Sequence, residues 1–97
     1  MTIIRFDYKP IGEKLLRLKI DLDEKNNIIR EVKIYGDFFI HPEESIDEIE
    51  KVFKNRRIDF NTLEEDLHNL IEHKGIMMIG ISVKGIIEGI RKALESK

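Results

Sequence analysis

Leu16, Leu18, Ile20 and Leu22 alternate with Arg17, Lys19 and Asp21, a period of two that turns every second side chain to one face of a strand and leaves the other to water. The pattern predicts a strand over residues 15 to 22. The polar run Asp23-Glu24-Lys25-Asn26-Asn27 follows, with asparagines that accept left-handed backbone, and an extended pattern resumes from Ile28 to Tyr35 around Val32 and Ile34. Together these segments read as an antiparallel hairpin. Ile3-Ile4-Arg5-Phe6-Asp7-Tyr8 reads as a further short strand, ended by Lys9-Pro10-Ile11-Gly12, where Pro10 removes a ladder donor and Gly12 supports a turn.

The period changes at Pro42. Proline suits the first turn of a helix, and Ile46, Ile49, Val52 and Phe53 follow at three-to-four residue spacing, with Glu43, Glu44 and Asp47 where the helix dipole favours negative charge. A second helix is predicted from Asn61 or Thr62, carrying Leu63, Leu67, Leu70 and Ile71 on one face and stopping before Gly75. Gly75-Ile76-Met77-Met78-Ile79-Gly80-Ile81 is apolar but too short to span a membrane, and reads as a buried extended connection. Ser82 caps a third helix with Val83, Ile86, Ile87, Ile90 and Leu94 toward the core, and Gly85 and Gly89, four apart, mark a face that packs closely. The expectation is one α+β domain spanning residues 1 to 97, a small antiparallel sheet in the N-terminal half packed against about three helices.

Charge and composition narrow the chemistry. The chain has 17 basic and 19 acidic side chains, a net charge of −2, with no excess to hold a phosphate backbone. The cluster Lys54-Asn55-Arg56-Arg57 reads as a solvated turn. With zero cysteines there are no disulfides, thiolate nucleophiles or thiolate metal sites. The charges in the opening residues break any apolar run, which predicts neither signal peptide nor membrane span and a cytoplasmic protein.

No catalytic constellation is visible. His68 and His73 are five residues apart, about 140° around a helix, which disfavours a metal pair. The carboxylates Glu43-Glu44, Asp47-Glu48 and Glu64-Glu65-Asp66 stand near predicted helix starts, where stabilisation accounts for them. The serines and threonines lack histidine and acid at motif spacing, and no glycine-rich phosphate loop is present. What remains is Gly36-Asp37-Phe38-Phe39-Ile40-His41-Pro42-Glu43-Glu44, a strand exit with two adjacent aromatics. Both rings can pack in the core. Alternatively at least one ring, or Asp37 and His41 beside it, serves a partner surface, since aromatics offer large contact area for little entropy loss.

Tyr8-Lys9-Pro10-Ile11-Gly12-Glu13-Lys14-Leu15-Leu16, the hairpin ending in Val32-Lys33-Ile34-Tyr35-Gly36-Asp37-Phe38-Phe39, His41-Pro42-Glu43-Glu44 with its helix, and Ile79-Gly80-Ile81-Ser82 resemble the C-terminal accessory domain of lipoate-protein ligases. The resemblance implies the fold of that domain, which is itself similar to sulfur-transfer and iron-sulfur scaffold proteins; those functions need cysteines, and this chain has none. It further implies a role beside a catalyst. Such ligases activate lipoate with ATP to lipoyl-adenylate and transfer the lipoyl group to a lysine of an acceptor domain. The catalytic lysine and nucleotide loop belong to a separate large domain, which in archaea especially is a separate protein.

The resulting expectation is a non-catalytic subunit of a two-component lipoate-protein ligase. It binds no cofactor itself, with ATP, Mg and lipoate at the catalytic partner, and acts indirectly on lipoyl-acceptor domains, without nucleic acid or membrane. Its interface candidates are Lys9, Gly12 and Lys14 in one turn and Gly36, Asp37, Phe38, Phe39 and His41 at the junction, with no catalytic or metal residues. The alternative is a stand-alone binding domain of the same fold with another partner or small ligand.

Overall fold

The computed structural model describes residues 2–97. Three long strands, β1 (Thr2–Tyr8), β2 (Leu16–Asp23) and β3 (Ile28–Gly36), form an antiparallel meander. A two-residue strand, β5 (Arg56–Arg57), extends it in the order β1-β2-β3-β5. The predicted alternation holds along β2, where Leu16, Leu18, Ile20 and Leu22 are all buried. In β3 the inward residues Ile29 and Val32 are three apart, not two. The register shifts opposite Asp21 and Leu22, so Arg30 is an extra residue in the ladder and the inward face is kept on both sides of it. Asn27 takes the left-handed backbone expected in the hairpin turn, at φ 57°.

α3 (Val83–Glu95) packs on β1 and β2, α2 (Phe60–Lys74) packs against α3, and α1 (Ser45–Lys51) packs along β3. The core runs from the sheet's Leu16, Ile20, Leu22, Ile29 and Val32 to Ile49 and Phe53 after β3, Leu63 and Leu67 of α2, and Ile86 and Ile90 of α3, all fully buried. The glycines of α3 allow close approach, as the sequence suggests. A Cβ on Gly89 would stand 2.6 Å from Leu16 Cδ2, and one on Gly85 would meet the Glu13 carboxylate and, at 3.1 Å, Pro10. The Tyr8 hydroxyl donates to Glu88 of α3, a bond that raises the phenol's pKa, and Lys92 Nζ sits 5.7 Å from the same ring.

Four local expectations are corrected. Pro42 lies before the first helix: Ser45 N–H donates to the Pro42 carbonyl at 2.9 Å, a turn that leads into a helix starting at Ser45. The second helix begins at Phe60, because Asp59, in extended conformation, caps it by accepting from Thr62 N–H at 3.3 Å. Its end at Gly75 is as predicted, with left-handed φ 61° and Ile76 N–H closing on the Ile71 carbonyl at 3.0 Å. Arg56 is not a solvated turn residue. It pairs with Ile29 in the sheet and its guanidinium bonds the Val52 carbonyl at 3.0 Å and Asp66 at 2.7 Å, tying the chain after α1 to α2.

The fourth correction positions the site. Met77–Ile79 is a strand, β6, pairing antiparallel with β4 (Phe39–His41), and it is not buried: Ile76 and Ile81 on either side are, whereas Met77 and Ile79 are 56% and 54% exposed. Strands therefore also occur among the helices. No helix of the described residues is long and apolar enough to cross a membrane.

Candidate partner interface

The junction after β3 is set by a close approach. A Cβ on Gly36 would collide with the Leu15 carbonyl oxygen and the Phe38 ring, so only glycine admits both neighbours. Asp37 N–H then donates to the Leu15 carbonyl at 3.1 Å, which anchors the exit to the start of β2. The chain leaves this bend with Phe38 packed against the core and Phe39 pointing out, 73% exposed. Only one ring of the aromatic pair therefore packs in the core.

β4 and β6 then build a face. Phe39 lies opposite Ile79 and His41 opposite Met77, and directly opposed residues project to the same side. Phe39, Met77 and Ile79 therefore form a contiguous exposed apolar patch with the His41 imidazole at its end. The patch borders a shallow groove of about 600 Å³ lined by Phe38, Phe39, Ile40, His41, Glu43, Met77 and Ile79. A second hollow of about 260 Å³, between Tyr35, Gly36 and Ile46, shares Phe38, Ile40 and Glu43 with it. A two-stranded sheet is marginal by itself; this one is held by Phe38, Ile40 and Met78, which pack onto the core from its inner side.

The turn Lys9–Lys14 is brought to the same place. Glu13 N–H closes on the Pro10 carbonyl at 3.0 Å, with Gly12 at φ 77°, a turn geometry that favours glycine at its third residue. Pro10 is buried and Ile11, at the tip, is fully exposed. Lys14 N–H donates to the Gly80 carbonyl at 2.8 Å, and a Cβ on Gly80 would sit 2.8 Å from Lys14 Cγ and 3.4 Å from Phe38 Cβ. Lys14, Gly80 and Phe38 thus converge, joining the two segments read separately from the sequence. Lys9, Gly12, Lys14, Gly36, Asp37, Phe39 and His41 are all exposed, and Phe38 supports them from beneath.

Sequence reasoning missed Glu13, Met77 and Ile79. The Glu13 carboxylate accepts from Ser82 N–H at 3.1 Å and from Ser82 Oγ at 2.7 Å, while Ser82 Oγ accepts from Gly85 N–H at 2.9 Å. This pins the turn to the start of α3 across 69 residues, a distance no local pattern reports. Met77, Met78 and Ile79 are all apolar, so no polar alternation announces which of them face out. Among the described residues no group of three or more histidines and carboxylates is placed to hold a metal.

The arrangement is an exposed apolar face on a packed support, with His41 and Glu43 lining the groove beside it. Residues 17–91 match the family described as bacterial lipoate protein ligase C-terminus, and the chain belongs to that family. The match spans β2 to most of α3 and leaves the Lys9–Lys14 turn outside it. A similar relative is Lipoate-protein ligase A subunit 2 of Thermoplasma acidophilum, 32% identical over 78 residues, which are 79% of this chain and 77% of that protein. The fold is also that of a chain from an archaeal lipoylation system of the same organism, described as a bi-partite lipoate protein ligase and its E2 lipoyl domain. The TM-score is 0.74 at 24% identity, covering 91% of this chain and 93% of that one.

Proposed function

We propose that this chain is the small, non-catalytic subunit of a bipartite lipoate protein ligase and docks on a separate catalytic subunit through the β4–β6 face and the adjoining Lys9–Lys14 turn. Family membership and the relative named as a second ligase subunit support the coarse reading. The observation that carries the docking site is the exposed patch of Phe39, Met77 and Ile79 beside the Gly36 bend. Large apolar side chains held outward on a packed support are what a partner surface covers, and a central aromatic surrounded by smaller contacts is the usual centre of such an interface.

The physical role of docking is to complete the adenylation site on the partner, where ATP, Mg and lipoate bind. An acyl-adenylate hydrolyses when water reaches it, and a docked domain restricts that access. Lys9 and Lys14, on the turn beside the patch, then stand at the edge of the closed site. The test mixes the purified chain with its cognate catalytic subunit, lipoate and ATP and follows pyrophosphate release. Faster release with the chain than without it is expected; equal rates would refute the role.

A further inference from the structure

The two edges of the four-stranded sheet are treated differently. On the β3 side the backbone is occupied: Ile34 N–H donates to Glu50 Oε2 at 2.8 Å, the Arg30 carbonyl accepts from Asn55 N–H at 3.1 Å, and β5 pairs with Ile28 and Ile29. On the β1 side, the backbone groups of Thr2–Tyr8 that point away from β2 have no hydrogen-bonding partner among the described residues. A seven-residue open edge is a template for another strand.

The side chains of β1 select that strand. In an antiparallel pairing of two β1 strands, directly opposed residues share a face. Placing a two-fold axis at Phe6 sets Phe6 against its copy and Ile4 against Tyr8 on the core side. On the outer side it sets Arg5 against Asp7 of the second copy, twice. Moving the axis to Arg5 or to Asp7 sets like charges against each other, which disfavours those registers. Within one chain Arg5 stands opposite Lys19, which stands opposite Lys33. Lys33 has Glu31 and Glu50 beside it, whereas Arg5 and Lys19 have no carboxylate within ion-pair distance among the described residues. Asp7 reaches Arg17 only at 3.9 Å with both side chains exposed, so its carboxylate has room for a second guanidinium. Phe6 is half-buried and packs against the core only in part.

We infer that two copies of this chain associate edge to edge through β1, with Phe6 at the two-fold axis and reciprocal Arg5–Asp7 pairs, to form one continuous sheet. This interface shares no residue with the Phe39, Met77 and Ile79 face, so that apolar face stays uncovered in the pair. The inference does not depend on the ligase reading.

Sedimentation velocity over a range of concentrations tests it on the full chain, on Arg5→Asp, on Asp7→Arg and on the variant carrying both exchanges, with circular dichroism as the fold control. The expected result is a concentration-dependent dimer, weakened roughly tenfold or more by either single change and restored when the two charges are exchanged together. Amides of β1 should gain hydrogen-exchange protection as the wild-type concentration rises. A monomer at every concentration would overturn the inference, as would a dimer indifferent to both single changes. A dimer abolished by Phe39→Lys while Arg5→Asp leaves it intact would overturn it too, since the copies would then meet through the apolar face.

Discussion

Two small sheets in this molecule use the same alternation and meet opposite fates. In β1–β3 the apolar side, Leu16, Leu18, Ile20, Ile29, Val32 and Ile34, is buried in the core that the helices close. In β4–β6 one apolar side, Phe38, Ile40 and Met78, packs inward, but the other side, Phe39, Met77 and Ile79, is apolar as well and remains outside. A strand apolar on both faces normally sits between two layers. Among the described residues no second layer covers Phe39, Met77 and Ile79, and the docking proposed above would supply one.

The comparison breaks most visibly at the large sheet. Ile20→Ala removes a fully buried side chain and should cost about 2–5 kcal/mol in denaturant unfolding. The adjacent phenylalanines then divide the two faces of the small sheet. Phe38→Ala, losing a ring packed on the core and over Gly36, should cost about 1–3 kcal/mol, less than a fully enclosed ring. Phe39→Ala should stay within about 0.5 kcal/mol of wild type. Equal losses at the two positions would mean that both rings serve the fold. Away from both sheets, Asp59→Ala should lower stability by about 0.5–2 kcal/mol through loss of the α2 cap.

The smallest effect is on the acid side. Hydrogen bonds from Asn26 hold the Asp23 carboxyl below the usual carboxylate range, and the Thr2 hydroxyl and Lys97 do the same for Glu24. With folded values depressed, their stabilisation is present above the ordinary carboxylate pKa and is lost as pH falls through the folded values. Glu24 is exposed and Asp23 only partly covered, so the decline in Tm should be shallow, and Asp23→Asn should make it shallower.

The large sheet was legible because its alternation runs through eight residues of β2, long enough to separate a strand from other patterns. β6, at three residues, gave too short a period, and its apolar run read as buried by composition alone. The start of α2 was misplaced because Asn61 and Thr62 have the chemistry of caps too, and only the extended backbone of Asp59 decides among them. Arg56 and Glu13 act across the fold, through Asp66 and Ser82, and no local pattern announces either. At the candidate site the Gly36 bend and its neighbours were readable, whereas the convergence of Lys14, Gly80 and Phe38 is a tertiary fact.

The central claim is that the outward face of β4–β6 is a docking surface. Titration calorimetry of a cognate catalytic subunit with the wild-type chain and with the Phe39→Ala/Ile79→Ala variant tests it most directly. A loss of at least about 2 kcal/mol in binding, roughly thirtyfold in affinity, with an unchanged unfolding transition is the predicted result. Equal affinities for the two proteins would contradict it.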